Sequence, residues 1–414
     1  MMFGNCIVAQ SGGPTAVINA SACGAIIEAL DQKCMKNIYG SQNGIEGIIN
    51  EDLFDLRKED IREIKRLKNT PASALGSCRY HLPNIEEGKE IYDKIFKVFK
   101  AHEIRYFFYI GGNDSMDTIN KITQYAKQVD YKLYAIGVPK TIDNDLMNTD
   151  HCPGYGSSAK YIATSILEIA EDARVYNSGI VTIVEVMGRN AGWLAAAGAL
   201  AVNQREKAVD LIYLPEVVFD FDKFHQDVEN AYKLKGKVII VVSEGIKGKN
   251  GNYILEQKTQ SHDIFGHSQL GGVGQMLGDY VMKHITKRVK VVTYGVLQRC
   301  SAHCTSKTDS DEAFMLGTEA VKEAVNGNTG YMIGLERISN TPYRCKTKLI
   351  DLSQVANLEK KIPKKWINEE GNYVTEDCIQ YMMPLIEGDC YPSSEKGLPV
   401  FARLSKCFVD KTNV

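Results

Sequence analysis

Apolar runs rich in β-branched and aromatic residues recur along this chain at CIVAQ (6–10), RYFFYI (105–110), YKLYAIGV (131–138), IVTIVEV (180–186), DLIYL (210–214), KVIIVVS (237–243) and VKVVTYG (289–295). Runs of this length, bounded by turn residues, read as strands buried on both faces. Segments with helical spacing separate them, at 16–30, 86–102, 115–128, 157–174, 191–203, 222–235, 271–287 and 310–325, and most begin after Gly, Asn, Asp or Ser. Strands alternating with helices predict an α/β fold of doubly wound, mostly parallel sheets. A length of 414 residues suits two such domains. The alternation fades after about residue 340, and that segment is expected to wrap the surface or an oligomer contact.

In doubly wound sheets, ligands bind at the carboxyl ends of strands. Here those ends are polar, glycine-bearing turns: QSGGP (10–14), GGNDS (111–115), PKTIDND (139–145), MGRNAG (187–192) and SEGIKG (243–248). Function is expected in these turns rather than in the overall charge. Lys plus Arg (49) nearly balance Asp plus Glu (51), which removes any general electrostatic argument for nucleic acid or an anionic membrane. The longest nearly apolar stretch, WLAAAGALAV (193–202), is about half of the ~20 residues that span a bilayer. The 11 cysteines are irregularly spaced, and the opening MMFGNCIVAQSGG carries no charged leader followed by an apolar stretch. Reduced thiols and a cytoplasmic location are therefore expected.

Gly12 and Gly13 sit between a strand and a helix, where backbone N–H groups and a helix N-terminus suit phosphate. The same residues serve equally in an ordinary strand–helix turn, since neither GxxxxGK[ST] nor a spaced GxGxxG is present. GGNDSMDT (111–118) repeats the pattern, with Asp114 read as a helix N-cap or as an acid placed beside an anion site. PKTIDND packs Lys140, Thr141, Asp143 and Asp145 into one turn, a density of charge that favours a site over a solvated loop. Phosphoryl transfer to a hydroxyl needs a carboxylate to take the proton and cations to offset charge, and this turn holds both.

Other clusters receive plainer readings. Cys300, His303 and Cys304 lack a fourth zinc ligand at suitable spacing. His262 and His267 precede the glycines of HSQLGGVGQ, read as a packed turn, and EDIREIKRLKNT (59–70) reads as a solvated amphipathic helix.

The turns taken together resemble the phosphofructokinase family from QSGGP to the LQR at 297–299. The shared pattern includes LGS-x-R (Leu75, Gly76, Ser77, Arg79), TIDND (141–145), MGR (187–189), EG (Glu244, Gly245) and QR (Gln298, Arg299), while the family's GGD becomes GGN. The resemblance implies two Rossmann-like domains: 1–156 with about 298–340 for the phosphoryl donor, and 157–297 with about 341–414 for fructose 6-phosphate. It implies that Asp143 is the base for the sugar's C1 hydroxyl, that Thr141 meets the same end of the sugar, and that Arg79 stabilises the transferring group. Gly12 and Gly112 would lie along the donor phosphates. Met187, Gly188, Arg189, Glu244 and Arg299 would hold the sugar phosphate, and Asn113 stands at the position linked to Mg²⁺. Ile180 and Val296 depart from residues that relatives use at the sugar site, which leaves Lys290 as a substitute contact.

ATP-dependent relatives look like GGDGS and PGTIDND, whereas this chain carries Asp114 and Lys140 at the corresponding glycines. An aspartate at 114 fills the space of a nucleotide's α-phosphate, and Lys140 offsets the charge of a compact donor. Two unit charges ~4 Å apart repel by about 4 kcal/mol at an effective dielectric of ~20, a hundreds-fold discrimination. The resemblance thus implies a cytoplasmic, Mg²⁺-dependent, pyrophosphate-dependent enzyme of the family, a homodimer or homotetramer. The same reaction with ATP and a non-catalytic regulatory subunit are the alternatives. A dinucleotide oxidoreductase is more remote, because the spaced glycine fingerprint is missing.

Overall fold

Each apolar run of the sequence contains a strand. The strands of the two larger sheets are β1 (Gly4–Gln10), β2 (Met35–Ser41), β3 (Leu53–Asp55), β4 (Ile104–Gly111), β5 (Tyr134–Pro139), β6 (Ile180–Val186), β7 (Leu211–Tyr213), β8 (Lys237–Ser243), β9 (Val289–Thr293), β10 (Tyr331–Asn340) and β11 (Tyr343–Asp351). The computed structural model describes residues 2–255 and 270–412. Its backbone divides into unit 1, Met1–Gly154 with Ala302–Glu359 and Gly388–Val414, and unit 2, Tyr155–Ser301 with Lys360–Glu387.

Unit 1 is built on a seven-stranded sheet in the order β11-β10-β5-β4-β1-β2-β3, parallel except at its two edge pairings. The unbroken apolarity of β1 and β4 follows from burial on both faces. Ile7, Ala9, Phe107 and Tyr109 enter the core beneath helices α2 (Lys89–Ala101) and α3 (Asn113–Gln128). Cys6, Val8, Tyr106, Phe108 and Ile110 enter the opposite core, beneath α1 (Ile18–Asp31) and α7 (Lys307–Val325). The chain leaves β1 for β2 on one side, while β4 lies on the other, so the turns after β1 and β4 open at the point where strand order reverses.

α1 and α7 cross closely because each carries a glycine at the contact. A Cβ on Gly317 would stand 2.0 Å from the Ser21 carbonyl oxygen, and one on Gly24 2.1 Å from that of Phe314. Gly317→Ala is therefore expected to lower stability by roughly 1–3 kcal/mol through overpacking. The urea midpoint reads this directly, and an unmoved midpoint would mean that the helices separate freely.

Unit 2 carries a four-stranded parallel sheet, β9-β6-β8-β7. Val181, Ile183, Val238, Ile240 and Val242 pack with Phe224 and Val228 of α5 (Phe221–Lys235) and with Val273, Leu277 and Val281 of α6 (Val273–His284). α4 (Tyr155–Arg174) opens this unit. The helix expected over 191–203 is a short one, Trp193–Ala196, that tightens into a 3₁₀ turn at Ala197–Leu200. Among the described residues no helix is long and apolar enough to cross a membrane.

The C-terminal third differs from the expected partition. Residues 341–359 group with unit 1 because β11 pairs antiparallel with β10, an edge strand with Arg344 and Lys346 exposed. Charge alternating along an edge strand protects it from further pairing, and it also hid this strand from a search for apolar runs. Residues 388–414 return to unit 1, where Asp55 N–H donates to the Cys407 carbonyl and Val409 N–H to that of Leu53, covering the β3 edge. Only 360–387 groups with unit 2, where Ile212 N–H donates to the Asn372 carbonyl and Trp193 packs with Trp366 and Tyr381. Residues 298–301 likewise group with unit 2.

Candidate active site

In unit 1 the first glycine turn works differently from a simple phosphate cradle. Gly12 has φ +76°, which glycine adopts without strain, and its N–H donates to the Cys78 carbonyl at 3.1 Å. The first turn of α1 is closed by Thr15, whose hydroxyl accepts from the N–H groups of Val17 and Ile18. What approaches Gly12 is the ammonium of Lys140, 3.3 Å from where a Cβ would stand and donating to the Gly13 carbonyl at 2.6 Å. Lys140 is 2% exposed. A buried cation is thus carried from the end of β5 onto the turn after β1.

A polar staple under this turn was not anticipated. Gln10, fully buried at the end of β1, accepts from Leu75 N–H at 2.9 Å and donates to Asn19 Oδ1 at 2.9 Å. Asn19 in turn accepts from Ala74 N–H and donates to the Thr70 carbonyl. Together they fix the loop that carries Gly76, Ser77 and Arg79, and Ser77 Oγ donates to the Gly12 carbonyl at 2.6 Å. Arg79 is exposed at the end of this loop. A glutamine closing an apolar strand is the signal that could have located the staple.

The second turn starts α3 directly after Gly112, which caps it without a side-chain bond. A Cβ on Gly112 would meet only the Lys140 carbonyl, at an ordinary 3.7 Å. The protein's own packing therefore does not require glycine here. Asp114 lies in the first helical turn and not at the cap, with an exposed side chain. Exposure restores much of the dielectric of water, where charges 4 Å apart interact by only about 1 kcal/mol. Its charge alone would give about fivefold discrimination between donors.

Asn113 was placed at the metal position by resemblance. In the structure its Nδ2 donates to the Leu358 carbonyl at 2.6 Å and its Oδ1 accepts from Asn357 N–H at 2.6 Å. Both ends of the amide are occupied by backbone of the 352–358 loop.

The third turn is stitched back on itself. Thr141 N–H donates to the Pro153 carbonyl, Asn144 Oδ1 accepts from Cys152 N–H, and Asp143 N–H donates to Thr141 Oγ1 at 3.1 Å. The Thr141 hydroxyl stands 3.5 Å from Asp143 Oδ2. Behind them His151, 1% exposed, bridges two acids: Nδ1 to Asp150 Oδ2 at 2.8 Å and Nε2 to Glu312 Oε2 at 2.6 Å. Arg337 adds two bonds to Asp150, and Tyr343 OH donates to Glu312 at 2.7 Å. Burial opposes the His151 charge, yet Glu312 and Asp150 outweigh it and raise the imidazole to about 9. Burial likewise works against the Asp150 charge, and His151 and Arg337 still hold its carboxyl down at about 2. Sequence reading missed this network because its members come from distant segments.

In unit 2, MGR and EG end the neighbouring strands β6 and β8. Gly188, at φ +136°, lets its carbonyl accept from Ser243 Oγ at 2.5 Å, while a Cβ there would crowd Ala191 O and Ser243 Oγ, each at 2.8 Å. Gly245 lies against the Arg189 carbonyl, 2.0 Å from a would-be Cβ. Glu244 N–H donates to the Val186 carbonyl, and buried Gln298 accepts from Met187 N–H at 3.1 Å. The structure thus gathers Met187, Gly188, Arg189, Glu244 and the Gln298–Arg299 turn at one end of this sheet. Glu216 accepts from the N–H groups of Gly192 and Ile362, and burial pushes its carboxyl up.

A phosphofructokinase family model matches residues 5–324. The chain belongs to the phosphofructokinase family. Its relatives include the pyrophosphate–fructose 6-phosphate 1-phosphotransferases of Halomonas elongata, 44% identical over 98% of this chain and 97% of that one, and of Methylococcus capsulatus, 42% identical with the same coverage. It also resembles a solved structure, the pyrophosphate-dependent phosphofructokinase of Nitrosospira multiformis, at TM-score 0.91 and 42% identity over 99% of this chain and 98% of that one.

The glycines before α6 are occupied by the protein itself, since Glu185 accepts from the N–H groups of Gly272 and Gly274. His262 and His267 lie outside the described residues. Lys290, a candidate sugar contact by the resemblance, is ion-paired with Asp172 at 2.5 Å on the β9 edge. Among the described residues no group of three or more His, Cys, Asp or Glu is arranged to hold a metal ion, the Cys300–Cys304 turn included.

Proposed function

We propose that this chain transfers a phosphoryl group from pyrophosphate to the C1 hydroxyl of fructose 6-phosphate, reversibly, giving fructose 1,6-bisphosphate and orthophosphate. The observation that carries the donor assignment is Lys140, a buried ammonium placed on the Gly12–Gly13 turn. A cation in that position offsets the charge of a compact anion, and near-full-length similarity to enzymes named for pyrophosphate and fructose 6-phosphate supports the same reading.

Asp143 accepts the C1 hydroxyl proton as that oxygen bonds to phosphorus. The bridging P–O bond of pyrophosphate breaks, and its electron pair leaves with orthophosphate. Thr141 orients the Asp143 carboxylate and the attacking hydroxyl, and Arg79 and Lys140 offset charge on the moving group. Gly12 and Gly112 leave room along the donor. Met187, Gly188, Arg189, Glu244 and Arg299 hold the far phosphate of the sugar, where guanidinium forks match its oxygens.

Mg²⁺ belongs to this reading. It binds mainly through substrate phosphates and one or two carboxylates. The exposed carboxylate of Asp114, in the first turn of α3, would hold it with the oxygens of pyrophosphate. Bound there, it would neutralise developing phosphate charge. The cytoplasm suits a chain with 11 irregularly spaced cysteines, and a homodimer or homotetramer is the assembly proposed.

A donor assay tests the proposal. The wild type is expected to turn over with pyrophosphate and to use ATP at least about tenfold less well, the scale of ~1.4 kcal/mol. Asp114→Gly with Lys140→Gly should narrow that gap through loss of pyrophosphate use. A wild-type preference for ATP would sink the donor assignment.

A further inference from the structure

We infer that Asn113 acts as a latch rather than a metal ligand: it holds the 352–358 loop against the start of α3 and thereby limits the length of the phosphoryl donor. The inference rests on the proposed use of pyrophosphate. Its starting point is that the exposed Asp114 carboxylate supplies too little charge discrimination by itself.

The loop is fixed at both ends. Leu352 and Val355 are buried in the core beneath α3, and the loop then turns through Asn357 at φ +63°. Its far end is held by the paired bonds between the Asn113 amide and the backbone of Asn357 and Leu358, both 2.6 Å. Asn357 Nδ2 adds a bond to Asp117 Oδ1 at 3.1 Å, and Asp117 is itself buried and ion-paired with Lys121 at 2.6 Å. Asn148 Nδ2 donates to the Gln354 carbonyl. The latch therefore sits one residue from Gly112, the position where the protein's own packing leaves space beside Lys140.

Chemistry favours asparagine for this task. Its amide donates to one carbonyl and accepts from one N–H, which a carboxylate cannot do, because aspartate has no donor for the Leu358 oxygen. Asn113→Asp should keep the bond from Asn357 N–H and turn the other into repulsion. A donor with a third phosphoryl group that leaves the cradle along α3 meets the latched loop as well as Asp114. Pyrophosphate ends before it.

The test combines a structural and a functional readout. Hydrogen exchange of the ligand-free protein is expected to speed up about tenfold across 352–358 in Asn113→Ala and Asn113→Asp, the scale of one or two lost hydrogen bonds. The kcat/KM ratio of tripolyphosphate to pyrophosphate should rise by about tenfold in both, and in Asn357→Ala by about threefold. Faster exchange with an unchanged ratio would overturn the inference, leaving Asn113 a structural residue only. So would an increase in the Mg²⁺ requirement in Asn113→Ala that Asn113→Asp reverses, since that pattern belongs to a metal ligand. If the wild type prefers ATP to pyrophosphate, the proposed function fails and the inference fails with it, an outcome distinct from either of the others.

Discussion

Asp143→Asn is expected to lower kcat by about 10²–10⁴-fold, the usual worth of a positioned general base. Asparagine keeps the shape of the side chain and its neighbourhood to the Thr141 hydroxyl, now 3.5 Å from Asp143 Oδ2. The backbone bond from Asp143 N–H to Thr141 Oγ1 is also untouched. What disappears is the capacity to take the C1 proton as the oxygen attacks phosphorus. KM for fructose 6-phosphate should therefore stay within a few-fold, because loss of an interaction made only in the transition state appears in kcat. A variant with near wild-type kcat would remove Asp143 from the role of base.

The second large effect lies behind that loop. His151→Gln is expected to destabilise the protein by roughly 3–5 kcal/mol, because it leaves buried Glu312 and half-buried Asp150 with one cation removed. The pH dependence distinguishes this from ordinary loss of packing. The imidazole is raised from 6.5 to about 9, so its stabilisation is complete below pH 6.5 and is lost as pH rises through about 9. The total is on the order of 3 kcal/mol, at about 1.4 kcal/mol per pH unit. Asp150 behaves in the opposite sense: held at about 2 against an ordinary 3.8, it stabilises above 3.8 and ceases to do so as pH falls through about 2. Denaturation of the wild type should therefore show stability declining from neutral pH toward pH 9. His151→Gln should start lower and lack that decline. Parallel curves for the two proteins would contradict an imidazolium at this position.

Strands buried on both faces were the most legible part of the sequence, because most of their positions are apolar: β6 and β8 have the bounds that their runs suggest. The edge strands were not legible. β11 alternates charged and apolar residues, and β3 is only three residues long, so neither forms an apolar run. The motif turns were legible as clusters of acids, lysines and glycines at strand ends. Their internal wiring was not. The N–H of Gly12 serves Cys78 and not an open phosphate site, and Asn113 serves a loop some 240 residues further along the chain.

The sequence by itself determined the fold class and the family, because these rest on local periodicity and on side-chain chemistry repeated at strand ends. Tertiary structure alone decided which side chains are already engaged. It placed the Lys140 ammonium on the Gly12–Gly13 turn, closed His151 between acids from separate segments, returned the C-terminal residues to the β3 edge, and joined Asn113 to the 352–358 loop. Apart from the neighbours Asp150 and His151, each is a pairing between residues far apart in the chain. Hydrogen bonds and ion pairs depend on distances of about 3 Å, and only the folded backbone sets those distances.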